Sequence, residues 1–338
     1  MGFSTVTKVL PKVRFGRKFS GIPVIFLYFV PMVISPMLPA QMPPPIVSAD
    51  EASQWSQPIK DRHGVITSTD GTCLFYRYWP AIGAWSGRSV LVLHGIGYHS
   101  GPYKVVADAL NPRGIDVYGL DARGHGLSCG QRGYIGSPAQ VAADIAAMVS
   151  LLKQRSGSKI YLINDSMGCN YALDFARNYG DELSGLILLA PAFDIEKRQL
   201  FQWNSLSLLP YFLFAHRKAV INLVGHRLDE SSCDRQFIAS RRSDPLAYKE
   251  VSFGYLLDIR RLVGNWKRAI APQIRMPLLV VQGGKDNVVS HKNCVRFERM
   301  AASSDKQLKI YPAVYHTTLW DPETPKILHM LGDWISAR

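Results

Sequence analysis

Cysteine is scarce in this sequence, and its few occurrences lie far apart. The chain of 338 residues has five cysteines, and no two of them form a C-x-x-C pair: Cys73, Cys129, Cys169, Cys233 and Cys294. This spacing argues against a zinc site or a redox dithiol. A disulfide framework is not expected in a chain of this length. A single disulfide remains open, and the sequence does not indicate which pair would form it.

Several other signatures are missing as well. The sequence has no repeat of fixed period, which excludes a solenoid. No Gly-rich phosphate loop follows a predicted strand, and no two histidines and no two cysteines occur at helical spacing. We therefore predict no nucleotide, flavin or metal cofactor.

Acidic residues are in the minority, 26 against 39 basic residues, so the formal net charge is +13. Basic residues gather in two places: at the N-terminus (Lys8, Lys12, Arg14, Arg17, Lys18) and between Lys197 and Arg268. Neither region has the pattern of a nucleic-acid reader. We predict that the first contacts a membrane surface. The second is either a solvated face or a specific anion site.

The N-terminal fifty residues resemble a targeting segment. The basic stretch precedes an uncharged apolar run at 21–40, which is interrupted by four prolines. Val47-Ser48-Ala49 offers a small-x-Ala cleavage site, and a proline run lies just before it. Three alternatives stay open: a cleaved signal peptide, an uncleaved anchor, or an apolar leader on a cytosolic protein. The first two predict a membrane-associated or exported protein.

From about residue 60, short apolar runs alternate with longer amphipathic ones. The segments 63–68 and 73–79 flank Asp70-Gly71, which predicts a hairpin. The later apolar runs have the character of buried parallel strands: 89–94, 115–120, 159–164, 186–190, 277–282 and 307–311. Helical patterns separate them. The chain is therefore predicted to be an α/β protein, with a mostly parallel twisted sheet covered by helices on both faces and an antiparallel edge.

The alternation stops between Phe193 and about Arg268, a stretch too long for a plain loop. We interpret it as an inserted helical cap. The predicted organisation is an N-terminal signal or anchor with a Pro-rich spacer at 1–50, a first core segment at 51–192, the cap at 193–268 and a second core segment at 269–338.

The segment 161–169, Tyr-Leu-Ile-Asn-Asp-Ser-Met-Gly-Cys, has the context of a nucleophile elbow. A buried strand ends, Ser166 follows, and a helix begins. Small residues are expected two positions before and two positions after the serine. Gly168 satisfies this rule, whereas Asn164 replaces the usual glycine. We expect the turn to tolerate it because asparagine adopts unusual backbone angles more readily than most residues.

A serine nucleophile needs a base and an orienting acid, which in this fold follow it in the order acid, then histidine. Asp286 comes just after the strand at 277–282, and His316 comes after the strand ending at Tyr311. The carboxyl ends of parallel strands meet at one edge of the sheet. We therefore predict a catalytic triad of Ser166, Asp286 and His316.

A second loop at that edge is predicted to support the reaction. His94-Gly95-Ile96-Gly97 follows a strand, and the backbone N–H groups of Ile96 and Met167 are candidates for an oxyanion hole. We expect His94 to be structural. His125, in the turn at 124–128, is out of chain order to serve as the base.

Taken together, these motifs resemble the monoacylglycerol lipase and lysophospholipase group of α/β-hydrolases, a group also classed with the S33-type serine aminopeptidases. The resemblance runs from about residue 60 to the end and rests on six segments: His94-Gly-Ile-Gly97, Asp121-Ala-Arg-Gly-His-Gly-Leu-Ser128, Ser166-Met-Gly168, Ser243-Asp-Pro-Leu246, Gly283-Gly-Lys-Asp286 and Tyr315-His316. It implies the same triad and oxyanion groups, and a mobile cap over an apolar acyl tunnel.

The expected function is hydrolysis of a lipid-like carboxylic ester, such as a monoacylglycerol or lysophospholipid, through an acyl-enzyme on Ser166. An aminopeptidase-like activity is one alternative, although the basic cap lacks the acidic cluster that a free amine would need. A non-catalytic binding protein with a degenerate elbow is the other. The sequence is silent on oligomeric state.

Overall fold

A mixed sheet of eight strands forms the centre of the molecule. The computed structural model describes residues 61–154, 157–193, 213–222 and 228–338. The strands of this sheet are β1 (Arg62–Thr67), β2 (Cys73–Trp79), β3 (Arg88–Leu93), β4 (Asp116–Leu120), β5 (Lys159–Asp165), β6 (Gly185–Leu189), β9 (Leu278–Gly283) and β10 (Lys306–Tyr311). Their spatial order is β1-β2-β4-β3-β5-β6-β9-β10.

The sheet is parallel from β4 to β10, and β1 and β2 form its antiparallel edge. The predicted Asp-Gly hairpin joins these two strands. Gly71 adopts a φ of 85°, which its lack of a side chain permits, and the Ser68 N–H bonds the Thr72 carbonyl at 2.9 Å. The prediction of an α/β fold with a mostly parallel sheet is confirmed.

Helices cover both faces of the sheet. The core helices are α1 (Lys104–Leu110), α2 (Pro138–Lys153), α3 (Gly168–Tyr179), α6 (His291–Met300) and α7 (Thr324–Ser336). Apolar side chains of α2, α3 and α6 belong to one buried cluster, and those of α1 and α7 belong to a second. Since β-strand side chains alternate between faces, nearly continuous apolar strands such as β3 and β6 supply both clusters.

Between β6 and β9 the described residues form a further group of strands and helices. Its described elements are the antiparallel pair β7 (Ala219–Asn222) and β8 (Glu250–Ser252), together with α4 (Arg235–Ser243) and α5 (Phe253–Asn265). Asp234 caps α4 by accepting from the N–H groups of Gln236 and Phe237. The predicted cap contains these elements, and its parts at 194–212 and 223–227 lie outside the described residues.

The predicted targeting segment, residues 1–50, also lies outside the described residues. The described residues belong to a compact unit that spans 43–338. Within them, no helix has the length and apolar character needed to cross a membrane. The boundaries proposed from the sequence for the leader, core and cap stay predictions.

One disulfide joins Cys73, at the start of β2, to Cys129, in the loop that follows β4. The sequence left the pairing open. The backbone reinforces the link, because the Cys129 N–H donates to the Cys73 carbonyl at 2.9 Å. Cys169, Cys233 and Cys294 remain as thiols.

Candidate active site

Ser166 occupies the sharp turn between β5 and α3. Its φ is 49°, and among the described residues only one other non-glycine residue, Ala190, has a positive φ. Such a conformation costs of order 1–3 kcal/mol and persists only where surrounding contacts impose it. Here the Ser166 N–H donates to the Leu189 carbonyl at 2.8 Å, and the Ser166 carbonyl accepts from Ala192 at 3.3 Å. The strained elbow predicted for Ser166 is present.

Gly168 lets the elbow lie directly against the loop that follows β3. A Cβ at this position would sit 2.7 Å from the His94 carbonyl oxygen and 2.9 Å from that of Leu93. Both neighbours are backbone atoms, so neither can rotate away. A Cβ on Gly95, across the contact, would lie 3.5 Å from the Ser166 Cβ. The glycines therefore set the distance between the nucleophile and this loop.

Asn164 is accommodated, but not for the reason that the sequence suggested. It lies inside β5 with a fully buried side chain, and its φ is not positive. Its Nδ2 donates to the Ile187 carbonyl at 3.0 Å, whereas its Oδ1 has no partner among the described residues. The strained backbone angle belongs to Ser166. Asn164 requires only enough space for its side chain to pack against β6. The turn tolerates asparagine, as expected, but this position does not require a positive φ.

The structure brings the three predicted triad residues together. His316 Nε2 lies 2.9 Å from Ser166 Oγ, and His316 Nδ1 lies 2.8 Å from Asp286 Oδ2. Ser166 and His316 are 9% and 8% exposed, and the Asp286 side chain is 1% exposed. This arrangement can transfer a proton from the serine hydroxyl to the imidazole while the carboxylate orients the ring.

The carboxylate of Asp286 is held by groups that the sequence analysis did not single out. Its Oδ1 accepts from the N–H groups of Val288 and Val289, at 2.8 and 2.9 Å. Gln282, fully buried at the end of β9, donates from Nε2 to Asp286 Oδ2 at 2.8 Å. The Cys294 thiol donates in turn to Gln282 Oε1 at 3.2 Å. The sequence does contain a signal that could have identified Gln282: it is a polar residue at the end of an apolar strand, four positions before Asp286.

The two ionisable partners of the triad shift each other's pKa. Burial alone lowers the pKa of His316, but the charge and hydrogen bond of Asp286, helped by Asp165, outweigh burial and raise it. Burial alone raises the pKa of Asp286, yet His316 and the two backbone N–H groups lower it overall. The pair therefore favours an ionised carboxylate beside a basic imidazole.

The pH dependence of catalysis follows from this coupling. His316 must be neutral to accept the serine proton, so kcat/KM should rise with pH and level off above the His316 pKa. The midpoint should lie above the value of about 6.5 that is ordinary for histidine. Replacing Asp286 by asparagine should move the midpoint down as well as lower the rate. Asp333→Asn, at an exposed site on α7, is the matched control and should keep the wild-type midpoint. A midpoint that Asp286→Asn leaves unchanged would contradict the attribution.

Two backbone N–H groups beside Ser166 are free to bind an anion. In the described part of the chain, the N–H groups of Ile96 and Met167 have no hydrogen-bond acceptor. Met167 directly follows the nucleophile, and Ile96 lies in the loop that Gly168 and Gly95 hold against the elbow. These two N–H groups therefore remain the candidates for the oxyanion hole, and neither has an acceptor among the described residues.

Comparison with known proteins agrees with this geometry. The family model described as serine aminopeptidase, S33, matches residues 86–323, which contain all three triad positions. The chain belongs to the S33 family. Its predicted resemblance to that group of hydrolases is confirmed.

Relatives of this S33 hydrolase include lipases. Human monoglyceride lipase is 29% identical over 307 residues, covering 87% of this chain and 96% of that protein. The monoacylglycerol lipase of Mycolicibacterium smegmatis is 27% identical over 256 residues, covering 73% and 88%. The uncharacterized protein YnbC of Escherichia coli is 29% identical over 279 residues. That match spans 80% of this chain but 46% of YnbC, so the chain matches about half of that relative.

Solved structures share the fold. The monoacylglycerol lipase of Paleococcus ferrophilus aligns with a TM-score of 0.65 at 23% identity, over 78% of this chain and 98% of that one. A soluble variant of Saccharomyces cerevisiae monoglyceride lipase gives 0.70 at 22% identity, over 82% and 96%. At these identities the likeness shows the α/β-hydrolase fold alone. With the family match and the relatives, this S33 hydrolase is a lipase-like ester hydrolase.

Two further histidines near the site, His94 and His125, have structural roles in this S33 hydrolase, as expected. The His94 ring accepts from the Ala122 N–H at 3.0 Å, and burial lowers its pKa to about 4. The His125 ring contacts the Arg123 carbonyl at 3.0 Å and the Tyr248 hydroxyl at 2.5 Å, and burial lowers its pKa as well. The lowered pKa of each ring favours its neutral form, and the hydrogen bonds of both rings tie loops together.

Among the described residues, three hydrogen bonds join the cap to the oxyanion loop, residues 94–99. Arg241 donates to the Ile96 carbonyl at 3.0 Å, and the Tyr248 N–H donates to the Gly97 carbonyl at 3.0 Å. His99 Nε2 bonds Asp244 Oδ2 at 2.7 Å. The Ser243-Asp-Pro-Leu246 motif therefore lies against the loop that carries one of the oxyanion groups.

An apolar cavity opens beneath the oxyanion loop. Its walls include Ile96, Met167, Ile145 and Tyr255, and it offers about 20 Å³ to the centre of a water-sized sphere. That is room for about one water molecule, far less than an acyl chain requires. A long acyl chain could enter this cavity only if the side chains that line it moved.

Proposed function

We propose that this protein hydrolyses carboxylic esters of lipid-like, single-chain substrates such as monoacylglycerols or lysophospholipids, through an acyl-enzyme on Ser166. One observation carries the proposal: an unbroken hydrogen-bonded line from Ser166 Oγ through His316 to Asp286, beside two unoccupied N–H groups. The relatives named as monoglyceride lipases support the substrate class.

The geometry suggests the following steps. Ser166 Oγ attacks the ester carbonyl carbon while His316 Nε2 takes its proton, and the N–H groups of Ile96 and Met167 stabilise the developing oxyanion. His316 then protonates the departing alcohol, which leaves an acyl group on Ser166. A water molecule, deprotonated by His316, attacks that acyl group and releases the carboxylic acid. Loss of one oxyanion donor typically costs about 2.7–4 kcal/mol of transition-state stabilisation.

Activity-based labelling is the direct test. A fluorophosphonate probe should modify the protein once, on the tryptic peptide that contains Ser166, and labelling should abolish ester hydrolysis. A panel of p-nitrophenyl esters and monoacylglycerols of increasing chain length should then show which acyl group is preferred. Absence of both labelling and hydrolysis of every ester in the panel would overturn the proposal.

An aminopeptidase-like activity is a second candidate, favoured only by the description of the family. Its substrate carries a free ammonium group, which needs acidic side chains in the cap. The segment 193–268 has 13 basic and 8 acidic residues, so its charge has the wrong sign. Release of the N-terminal residue from proline-containing peptides, at rates comparable to ester hydrolysis, would revive this candidate.

We also propose that the chain is exported or held at a membrane by residues 1–50. The basic and apolar order of that segment supports this, and so does the Cys73–Cys129 disulfide, because disulfides persist in oxidising compartments. N-terminal sequencing of the mature protein separates the alternatives: cleavage after Ala49 identifies a signal peptide, whereas an intact N-terminus in the membrane fraction identifies an anchor. An intact chain found only in the cytosol would refute both.

A further inference from the structure

The strongest unexplained feature near the site is the guanidinium of Arg241. This residue lies near the end of the cap helix α4 and is partly buried. Its Nη2 donates to the carbonyl oxygen of Ile96 at 3.0 Å, in the residue whose own N–H is a candidate oxyanion donor. The positive charge therefore lies at the rim of the oxyanion loop, within one residue of where an ester carbonyl would bind.

Arg241 has no acidic partner within the described residues. None of the described carboxylates lies within 4.0 Å of its guanidinium. The guanidinium also lies over the ring of Tyr98, 4.6 Å from the ring centroid, and this stacking contact uses no N–H donor. The two carboxylates that share its surroundings already have partners. Asp165 Oδ2 accepts from the Tyr103 hydroxyl at 2.5 Å, and Asp244 Oδ2 bonds His99. Within the part of the chain that the structure describes, most of the five N–H donors of Arg241 therefore have no protein acceptor.

The neighbouring arginine shows what an ordinary surface position on this helix looks like. Arg242 is half exposed and pairs with Asp229 at 2.5 Å. Arg241 differs by being partly buried, by donating to the oxyanion loop and by having no ion-pair partner among the described residues. Burial raises the pKa of the nearby Asp165 carboxyl, and the charge of Arg241 opposes that shift. A partly desolvated guanidinium without a counter-ion favours a bound anion.

We propose that Arg241 binds the phosphate of an anionic, single-chain substrate, so that the enzyme prefers a lysophospholipid-type ester to the neutral monoacylglycerol of the same acyl chain. The inference rests on the proposed ester hydrolysis and narrows its substrate class. In a 1-acylglycerol 3-phosphate, the ester and the phosphate lie at opposite ends of one glycerol unit. With the ester carbonyl at Ile96 and Met167, the phosphate can then lie on the cap side of the oxyanion loop, where Arg241 is.

The test compares kcat/KM for 1-oleoylglycerol and 1-oleoylglycerol 3-phosphate in neutral detergent micelles. Arg241→Gln removes the charge and retains a polar side chain with N–H donors. It should lower kcat/KM for the phosphate ester about 10- to 100-fold more than for the neutral ester. Arg241→Lys should retain part of the preference. Arg242→Gln, one position along the helix, is the matched control and should leave the ratio of the two substrates within about twofold of wild type.

These measurements distinguish failure of the proposed role of Arg241 from failure of the proposed ester hydrolysis. If Arg241→Gln lowers kcat/KM for both esters equally, Arg241 only positions the oxyanion loop and the inference is wrong. A wild-type enzyme that labels on Ser166 but shows no preference for the phosphate ester also overturns the inference and leaves ester hydrolysis intact. Loss of labelling and of hydrolysis of both esters in the wild type would refute the proposed function itself.

Discussion

Replacing Ser166 by alanine is expected to lower kcat/KM for any ester substrate by roughly 10⁴- to 10⁶-fold. Alanine has no hydroxyl to form the acyl intermediate, whereas the oxyanion N–H groups and the binding site remain and sustain a small residual rate. The Ser166→Ala variant should also lose fluorophosphonate labelling. Its thermal unfolding should stay close to that of the wild type, because the change removes one oxygen from a residue whose conformation is set by its neighbours.

Because Ser166 and His316 act together, the activity of a double variant can also be predicted. Residues that act as a unit are strongly non-additive, so a Ser166→Ala, His316→Ala double variant should be no slower than the slower single variant. Ser290→Ala is a suitable control, because Ser290 precedes α6 without a side-chain capping bond. Its activity should remain within about twofold of wild type. If Ser166→Ala retains more than about 1% of the activity, a different nucleophile carries the reaction.

Removing the Cys73–Cys129 disulfide should destabilise the fold by about 4 kcal/mol, given a sequence separation of 56 residues. The bridge closes a loop that contains β3, α1 and β4, and so limits the freedom of the unfolded chain. The comparison is the urea unfolding midpoint of the Cys73→Ser, Cys129→Ser double variant with that of the wild type. Adding a reductant to the wild type should produce the same shift.

Cys233→Ser provides the matched control, because Cys233 is an exposed thiol outside the bridge. Its unfolding midpoint should match that of the wild type. Thiol titration of the denatured protein gives an independent count: three free thiols with the bridge formed, and five after reduction. Five free thiols in protein purified without reductant, or a midpoint insensitive to reductant, would contradict the expected role of the bridge.

The triad could be predicted from the sequence because chain order and sheet topology constrain it together. Asp286 and His316 are separated from Ser166 by more than a hundred residues, yet each directly follows a strand of the same parallel sheet. In such a sheet the carboxyl ends of the strands lie at one edge, so position in the pattern implies proximity in space. The distances of 2.9 and 2.8 Å then depend on loop geometry that no pattern encodes.

Asn164 illustrates how a correct rule can be applied to the wrong residue. The rule that the elbow is strained is right, but the strain is located at Ser166, with a φ of 49°. Asn164 lies in regular β5, and its side chain fits because its Nδ2 reaches the Ile187 carbonyl of the adjacent strand. That contact depends on the register between β5 and β6, which a single sequence does not reveal.

The sequence by itself therefore determined the α/β class, the strand-turn-helix context of Ser166, and the order of acid and base. Periodicity is a local property, and chain order can be read directly from the sequence. The tertiary structure alone decided which cysteines pair, that Gln282 orients Asp286, and that Arg241 of the cap faces the oxyanion loop without an acidic partner among the described residues. Each of these features depends on contacts between residues that are distant in sequence. Packing and strand register determine such contacts, and composition or spacing does not encode them.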